Sequence, residues 1–389
     1  MIPAIRPQLP PNKSIVPPDQ QGRANIQSHI FHPPAGLQKF TCRPLIQRSC
    51  VKEATSGSLY LFNRVKHKHT RADDGCYQSD PIAKGDRSTI YPTRNWEPEC
   101  PEEKDYITKV PTQYPSCIQA TIKEREVLKK LQDCPFIVKL LRHPSSDNSF
   151  SMERLPDNLY QSHLYPGKRM SHAEFTVFAH QIFIALREMK KLGIIHADLK
   201  PENMAKKKTQ AKLFDFNLAQ EEDKKSTQDL LSSSFYRPPE NVLEFETYTC
   251  AYDMWSFACC LYELVTLRPL FHYQDTWGDR ECHFFTRAEQ LFGLFPPDHM
   301  IAKARNKKAV ECLQVLLCAG RPLPKLSIPD PITQRLEKHL SPEDAAPLSD
   351  LIHKMMRYDP ADRITPEEAL KHPFFNDCFV KPSEDDHKE

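Results

Sequence analysis

Glycine is scarce in this chain, with 10 among 389 residues against 35 prolines. Glycine alone enters the left-handed backbone region without strain, so phosphate-cradling loops built on several glycines are not expected. There is no Cys-x-x-Cys pair. The 13 cysteines are scattered and odd in number, which excludes a small disulfide framework or a zinc spacing and predicts reduced thiols. The opening MIPAIRPQLPPNKS lacks a continuous apolar core of signal-peptide length. The longest apolar helical run, Met254 to Val265, contains Ser256 and Glu263 and is too short to cross a bilayer. A net charge of +2 demands neither nucleic acid nor an anionic membrane. No basic stripe with interleaved aromatics tracks a nucleic-acid backbone. The chain reads as soluble and intracellular, with no membrane or direct nucleic-acid partner.

What is present changes character along the chain. Residues 1 to about 75 are rich in Pro, Gln, Lys and Arg with no apolar period. They bury too little to offset chain entropy and are expected to be disordered. The cluster Arg64-Val65-Lys66-His67-Lys68-His69 reads either as a nuclear import signal, which would place the protein in the nucleus, or as a solvated basic face. From residue 76 to 153 short strand patterns surround one helical pattern, IKEREVLKKLQD at 122–133, with Ile122, Val127, Leu128 and Leu131 on one side. Residues 156–376 read as helical. Ser171-x-x-Glu174 is a capping box opening a helix with Phe175, Phe178, Ile182, Leu186 and Met189 on one stripe. Thr365-Pro366-x-Glu368 starts a last helix with proline at its favoured first position. The proline-rich stretch 271–347 is expected to be a less regular insertion, and 377–389 a charged tail.

The chemistry concentrates in Ile194 to Asn217. His196, Asp198, Lys200 and Asn203 fall within eight residues, and Asp215 follows twelve residues after Asn203 at the end of a strand-like run. Phosphoryl transfer requires metal ligands, a cation on the phosphates and a group that orients the acceptor hydroxyl. Asp198 suits the last role and Lys200 the neutralisation of the moving phosphoryl group. Asn203 and Asp215 supply oxygen ligands suited to magnesium.

This pattern, His-x-Asp-x-Lys-Pro-x-x-Asn followed by Asp-Phe-x, resembles the eukaryotic protein kinases over roughly residues 80–376. Within them it resembles the CMGC group and its pre-mRNA-processing (splicing-associated) kinases. The finer likeness rests on Ala197 in His-Ala-Asp, the Ser-x-Phe-Tyr-Arg-x-Pro-Glu block at 233–240 and Tyr252-Asp253-Met254-Trp255-Ser256. The resemblance implies an α+β, bilobed fold with a small, mostly β lobe and a larger, mostly α lobe, ATP and Mg2+ as cofactors, protein substrates and a monomer. It makes Lys109 the strand lysine that meets the phosphates and Glu124 its helix partner. Ala83, Gly85, Ser88 and Ile90 become the phosphate loop, and Met152, Glu153 and Leu155 the hinge against adenine. Glu240 and Arg363 become an architectural ion pair, and Asp253 the carboxylate that supports the catalytic-loop backbone.

Several positions depart from that family's pattern. Only Gly85 remains of three loop glycines, 24 residues before Lys109. Asn217 replaces the glycine after Asp-Phe; asparagine tolerates left-handed backbone, so the turn is expected to persist. Ile107 stands where the resemblance places a small alanine above adenine, and Ala205 where it places a leucine below, a volume exchange that either compensates or marks decayed ATP binding. Ala197 removes an arginine that grips phosphorylated activation loops. The block Leu230-Leu231-Ser232 lacks a tyrosine, and Ser234 replaces an arginine, so constitutive activity or control by a partner is expected. Two functions follow: an ATP-dependent serine/threonine kinase, or a pseudokinase scaffold.

Overall fold

A computed structural model describes residues 81–93 (86 excepted), 106–142, 148–226, 233–272, 280–318 (294 excepted) and 331–379. All belong to the compact unit 54–389. The 1–75 segment, the basic cluster at 64–69, Leu230 to Ser232 and 380–389 lie outside the described residues.

The small lobe is a five-stranded antiparallel sheet in the order β1-β2-β3-β5-β4. Its strands are β1 (Ala83–Lys84), β2 (Ser88–Thr93), β3 (Tyr106–Pro111), β4 (Leu140–Arg142) and β5 (Phe150–Glu153). Register sets Ile90 opposite Lys109 and Ile107 opposite Met152. Since side chains alternate along a strand, Ile107 and Lys109 share one face. The helix α1 (Pro115–Lys130) starts seven residues earlier than its apolar pattern indicates, with Pro115 at its first position, where no N–H is needed. Its buried stripe is Cys117, Thr121, Glu124 and Leu128; of the expected face, Leu128 and Leu131 are buried, whereas Ile122 and Val127 are only half-buried. The difference arises because a charged residue, Glu124, belongs to the buried side; its partner lies 15 residues back in β3.

The large lobe begins with a π-helical turn, Tyr160–Leu164, and α2 (His172–Lys191). Ser171 and Glu174 form the reciprocal capping box, and all five expected stripe residues are buried. Then come β6 (Ile194–Ile195), the hairpin β7 (Met204–Lys207) and β8 (Gln210–Leu213), and β9 (Gln220–Glu221), which pairs with β6. Short α3 (Pro239–Val242) leads to α4 (Ala251–Thr266), of which all residues but Ala251 are buried. The stretch expected to be irregular holds α5 (Arg280–Phe292), α6 (Asp298–Lys303), α7 (Lys307–Cys318), α8 (Pro331–Leu336) and the start of α9 (Pro342–Met355). Prolines caused the misreading, yet Pro297, Pro331 and Pro342 sit at helix N-termini. Phe271, Phe284 and Phe292 of this stretch pack around Trp255 at centroid distances of 5.9–6.0 Å, so it completes the core. Last come α10 (Pro366–Ala369), opened by the Thr365–Glu368 capping box, and the 3-10 turns at Pro373–Phe379.

Cys282 of α5 and Cys312 of α7 form a disulfide with Cα atoms 5.3 Å apart, which corrects the expectation of reduced thiols throughout. The two helices pack side by side and bring together residues 30 apart in sequence. Among the described residues no helix is long and apolar enough to cross a membrane.

The lobes share backbone hydrogen bonds. Val138 N–H donates to Leu213 O (3.0 Å) and Leu213 N–H to Phe136 O (2.8 Å). This seam fixes the end of β8, and with it Phe214 and Asp215, against the chain that leaves α1.

Candidate active site

Lys109 enters the cleft from β3 and finds two carboxylates. Its Nζ lies 2.7 Å from Glu124 Oε2 and 2.8 Å from Asp215 Oδ1, all three side chains being buried. One ammonium between two carboxylates leaves an excess negative charge, and the two acids divide it unequally. Burial, more than the nearby Asp215 charge, pushes Glu124 up to about 7 against the pull of Lys109. Burial also disfavours the Asp215 carboxylate, but Lys109 and then Lys200 outweigh it and hold that acid below its ordinary range. Glu124 also accepts the Phe216 N–H at 3.2 Å, so α1, β3 and the turn after β8 meet at one point.

The catalytic loop is held from beneath. Asp253, near the start of α4, accepts the His196 N–H (2.7 Å) and the Ala197 N–H (3.0 Å). Burial, with no cation in contact, raises the Asp253 carboxyl to about 7 despite those two donors. The bonds clamp Ala197 at φ 63°, a left-handed conformation that costs alanine roughly 1–2 kcal/mol. His196 Nε2 donates to Phe214 O at 3.1 Å while Nδ1 accepts the Asp198 N–H at 3.2 Å. Burial lowers its affinity for a second proton, so the ring is a neutral strut, tilted on Phe216 at 4.6 Å.

Above this base Asp198 Oδ2 lies 2.8 Å from Lys200 Nζ and accepts Asn203 Nδ2 at 3.0 Å. Burial opposes the Lys200 charge, yet Asp198 more than restores it, and its affinity for the proton is raised. Asn203 Nδ2 also donates to the Asp198 carbonyl (2.8 Å), which turns Oδ1 away. That oxygen is buried without a hydrogen-bond partner. An orphaned buried acceptor beside the ionised Asp215 is the donor set a hard divalent cation such as Mg2+ takes; the residues present fit that ion.

A cleft between the lobes is lined by Ala83, Ile90, Ile107, Lys109, Glu153 to Pro156, Asn158, Phe214 and Asp215. Of the expected nucleotide residues, Glu124, Gly85, Ser88, Met152 and Ala205 are not in this lining; Glu124 stands behind Lys109. Met152 is buried in β5 opposite Ile107. Gly85 N–H bonds Ser88 O at 2.9 Å, and the described residues of this turn use no left-handed backbone, which is why one glycine suffices there. Asn217 is likewise not left-handed. Asp215 instead carries the positive φ, at 66°, so the turn places its strain on the acid and not on the residue that replaces glycine. Ala205 is fully buried in β7, bridged to Asn158. Phe214 occupies the lining on that side. The exchange is therefore among three residues, Ile107, Ala205 and Phe214.

Glu240 and Arg363 lie below the activation segment as a buried bidentate pair at 2.7 and 2.6 Å. Arg363 also donates to the carbonyls of Arg357, Ala251 and Tyr358 and lies 5.3 Å from the Trp255 ring centroid.

Residues 103–375, more than half of the chain, match the family described as protein kinase domain. The chain belongs to the protein kinase family. Curated relatives include the mitogen-activated protein kinase mpkA of Aspergillus fumigatus, 29% identical over 57% of this chain and 52% of its own length. The mitogen-activated protein kinase spk1 of Schizosaccharomyces pombe is 30% identical over 63% and 68%. The mouse MAPK/MAK/MRK overlapping kinase is 28% identical over 66% and 57%. The chain thus spans about half the length of the first of these relatives. They place this kinase domain beside the mitogen-activated kinases of the CMGC group.

Sequence reasoning gave no role to two residues of this kinase domain's site. Ser233 N–H and Oγ approach Asp198 Oδ1 at 3.1 and 3.4 Å, and Lys200 Nζ donates to Ser233 Oγ at 3.0 Å. The activation segment is thereby tied to the catalytic loop, 35 residues away. The sequence offered Ser233 only as the head of the 233–240 block, which carried the family resemblance and no role in the site. Phe214, the residue preceding Asp215, was visible but was not considered for the cleft wall.

Proposed function

We propose that this protein is a serine/threonine protein kinase that transfers the γ-phosphate of ATP to a protein hydroxyl. The observation that supports it most is Lys109 Nζ at 2.7 and 2.8 Å from Glu124 and Asp215. That pairing fixes a buried cation in the wall of the cleft beside a carboxylate suited to metal. Lys109 holds the phosphates of the nucleotide, and Ile90, Ile107 and Phe214 enclose its base. Asp198 orients the acceptor hydroxyl and takes its proton. Lys200, ion-paired with Asp198, keeps that aspartate in place and offers positive charge to the group in transfer. Asn203 and Asp215 would hold magnesium, which when bound neutralises phosphate charge. Ser233 sets the distance between the activation segment and Asp198.

The likeness to splicing-associated kinases rests on Ala197, the 233–240 block and Tyr252 to Ser256, while two of the relatives named above are mitogen-activated protein kinases. A role in pre-mRNA processing and residence in the nucleus are therefore proposals of the sequence.

A second reading, a scaffold without catalysis, draws on the bulky Ile107 and Phe214 in the cleft. Purified protein with labelled ATP, magnesium and a generic basic substrate, run beside Asp198→Asn, separates the two. The kinase reading expects the variant to transfer at least about a hundredfold less phosphate. Equal labelling by both proteins would overturn it in favour of the scaffold.

A further inference from the structure

On the far side of the large lobe a cavity sits between the approach to α2, the C-terminal end of α4, α5 and α8. It shares no lining residue with the cleft. Arg169, Arg268, Arg287, Arg335, Lys338 and His339 line it, and among the described residues no acidic side chain does. None of the four arginines, nor Lys338, forms an ion pair among the described residues. For Arg169 and Arg287 there is a structural reason to be present. Arg169 Nε donates to Val265 O at 2.8 Å, at the negative end of α4. Arg287 Nε donates to Leu270 O at 3.3 Å. Those bonds use one donor of each guanidinium and fix its plane, so four N–H donors of each remain oriented. Among the described residues the side chains of Arg335, Arg268 and Lys338 have no such partner.

Like charges gathered without a counter-charge destabilise the folded chain. Burial first and Arg335 second lower the proton affinity of Arg287, the sign of a guanidinium among like charges and short of water. Such a cost persists where a ligand removes it. Guanidinium forks matched in pairs suit a dianionic phosphate ester better than a lone carboxylate. These basic side chains share one cavity, and no aromatic of the kind on which bases stack alternates with them along the chain, which favours a single anionic group over a nucleic-acid strand.

We propose that this cavity docks a phosphoserine- or phosphothreonine-bearing acidic segment of a partner protein, with Arg287 and Arg335 gripping the phosphate and Lys338 and Arg268 at the rim. The site lies outside the catalytic machinery and stands whether or not phosphoryl transfer occurs. It gives a protein bound there a second anchor and raises its effective concentration at the cleft.

Fluorescence anisotropy with the full chain tests this. The probe is a short acidic peptide carrying one phosphoserine, compared with its unphosphorylated parent, inorganic phosphate and inositol hexakisphosphate. The phosphopeptide is expected to bind at least about tenfold more tightly than its parent. Arg335→Gln is expected to weaken it about as much while raising the melting temperature of the peptide-free protein. An arginine that merely packed would lower that temperature when replaced. Lys338→Gln, at an exposed position, is expected to weaken binding with melting unchanged. It keeps the test decisive should Arg335→Gln misfold. Equal affinity for the two peptides, binding indifferent to both substitutions, or capture of inositol hexakisphosphate with no phosphopeptide binding would each overturn the proposal.

Discussion

The nucleotide cleft and the basic cavity of the large lobe treat charge in opposite ways. Around the cleft, and beneath the activation segment, charges are buried and mostly answered inside the protein: Lys109 by Glu124 and Asp215, Lys200 by Asp198, and, below them, Arg363 by Glu240. In the cavity Arg287 and Arg335 both belong to the lining, and among the described residues no carboxylate does. Internal pairing preorganises a site, because side chains that already hold one another do not have to reorganise when substrate arrives. Unpaired charge leaves the answering group to come from outside. The same residue type therefore serves as architecture at 363 and as a candidate anion grip at 287 and 335.

The comparison breaks most visibly if internal pairing is removed. Arg363→Ala leaves Glu240 buried without its cation and empties three carbonyl contacts, and is expected to cost about 3–5 kcal/mol in chemical denaturation. Unchanged stability would mean that the pair is not the support its geometry indicates.

Asp253 is the intermediate case, a buried carboxylate answered only by N–H groups. Its pKa, about 7 when folded, exceeds the ordinary value that applies in the unfolded chain. Between about pH 4 and 7 the folded protein holds a proton that the unfolded chain has released. This group's contribution to stability is then complete at the acid end and falls as pH rises, by up to about 1.4 kcal/mol per pH unit. Asp253→Asn abolishes that component. Stability of wild type minus variant, measured across the window, should decline with pH; a flat difference would show an Asp253 that stays ionised.

The smallest effect concerns the uncharged wall of the cleft. If Ile107 and Phe214 enclose adenine together, Ile107→Ala and Phe214→Ala should change ATP affinity non-additively, by about 0.5–1 kcal/mol in a double-mutant cycle. Strict additivity would separate the two walls.

Much of the site could be read in the sequence because its residues are close along the chain or keep fixed spacing. The catalytic loop spans eight residues, and Lys109 and Glu124 are 15 apart on a strand and a helix. The α2 stripe and both capping boxes rest on local periodicity, which is why those elements were legible. Three kinds of feature were not. The α1 boundary and its buried face were hidden because a buried glutamate looks polar until its lysine is placed. The helices of 271–347 were masked by prolines that start helices as readily as they end them. Contacts between distant residues had no local signal at all. Cys282 with Cys312, Ser233 with Asp198, and Arg169 with Arg335 in one cavity depend on how α2, α4, α5, α7 and α8 pack.

Glu153 has a mechanical consequence. At the last residue of β5 its carboxylate lies 2.6 Å from Lys207 Nζ and 2.8 Å from Lys212 Nζ on the large-lobe hairpin, and it accepts the Lys139 N–H at 2.9 Å. The strand that links the lobes is thus bolted to the hairpin behind it. A swing of the upper lobe that pivots within β5 has to pull those bolts. A pivot just beyond them, at Leu155 and Pro156, leaves them in place, so the chain's softest axis runs along the rim of the cleft and not through its back wall.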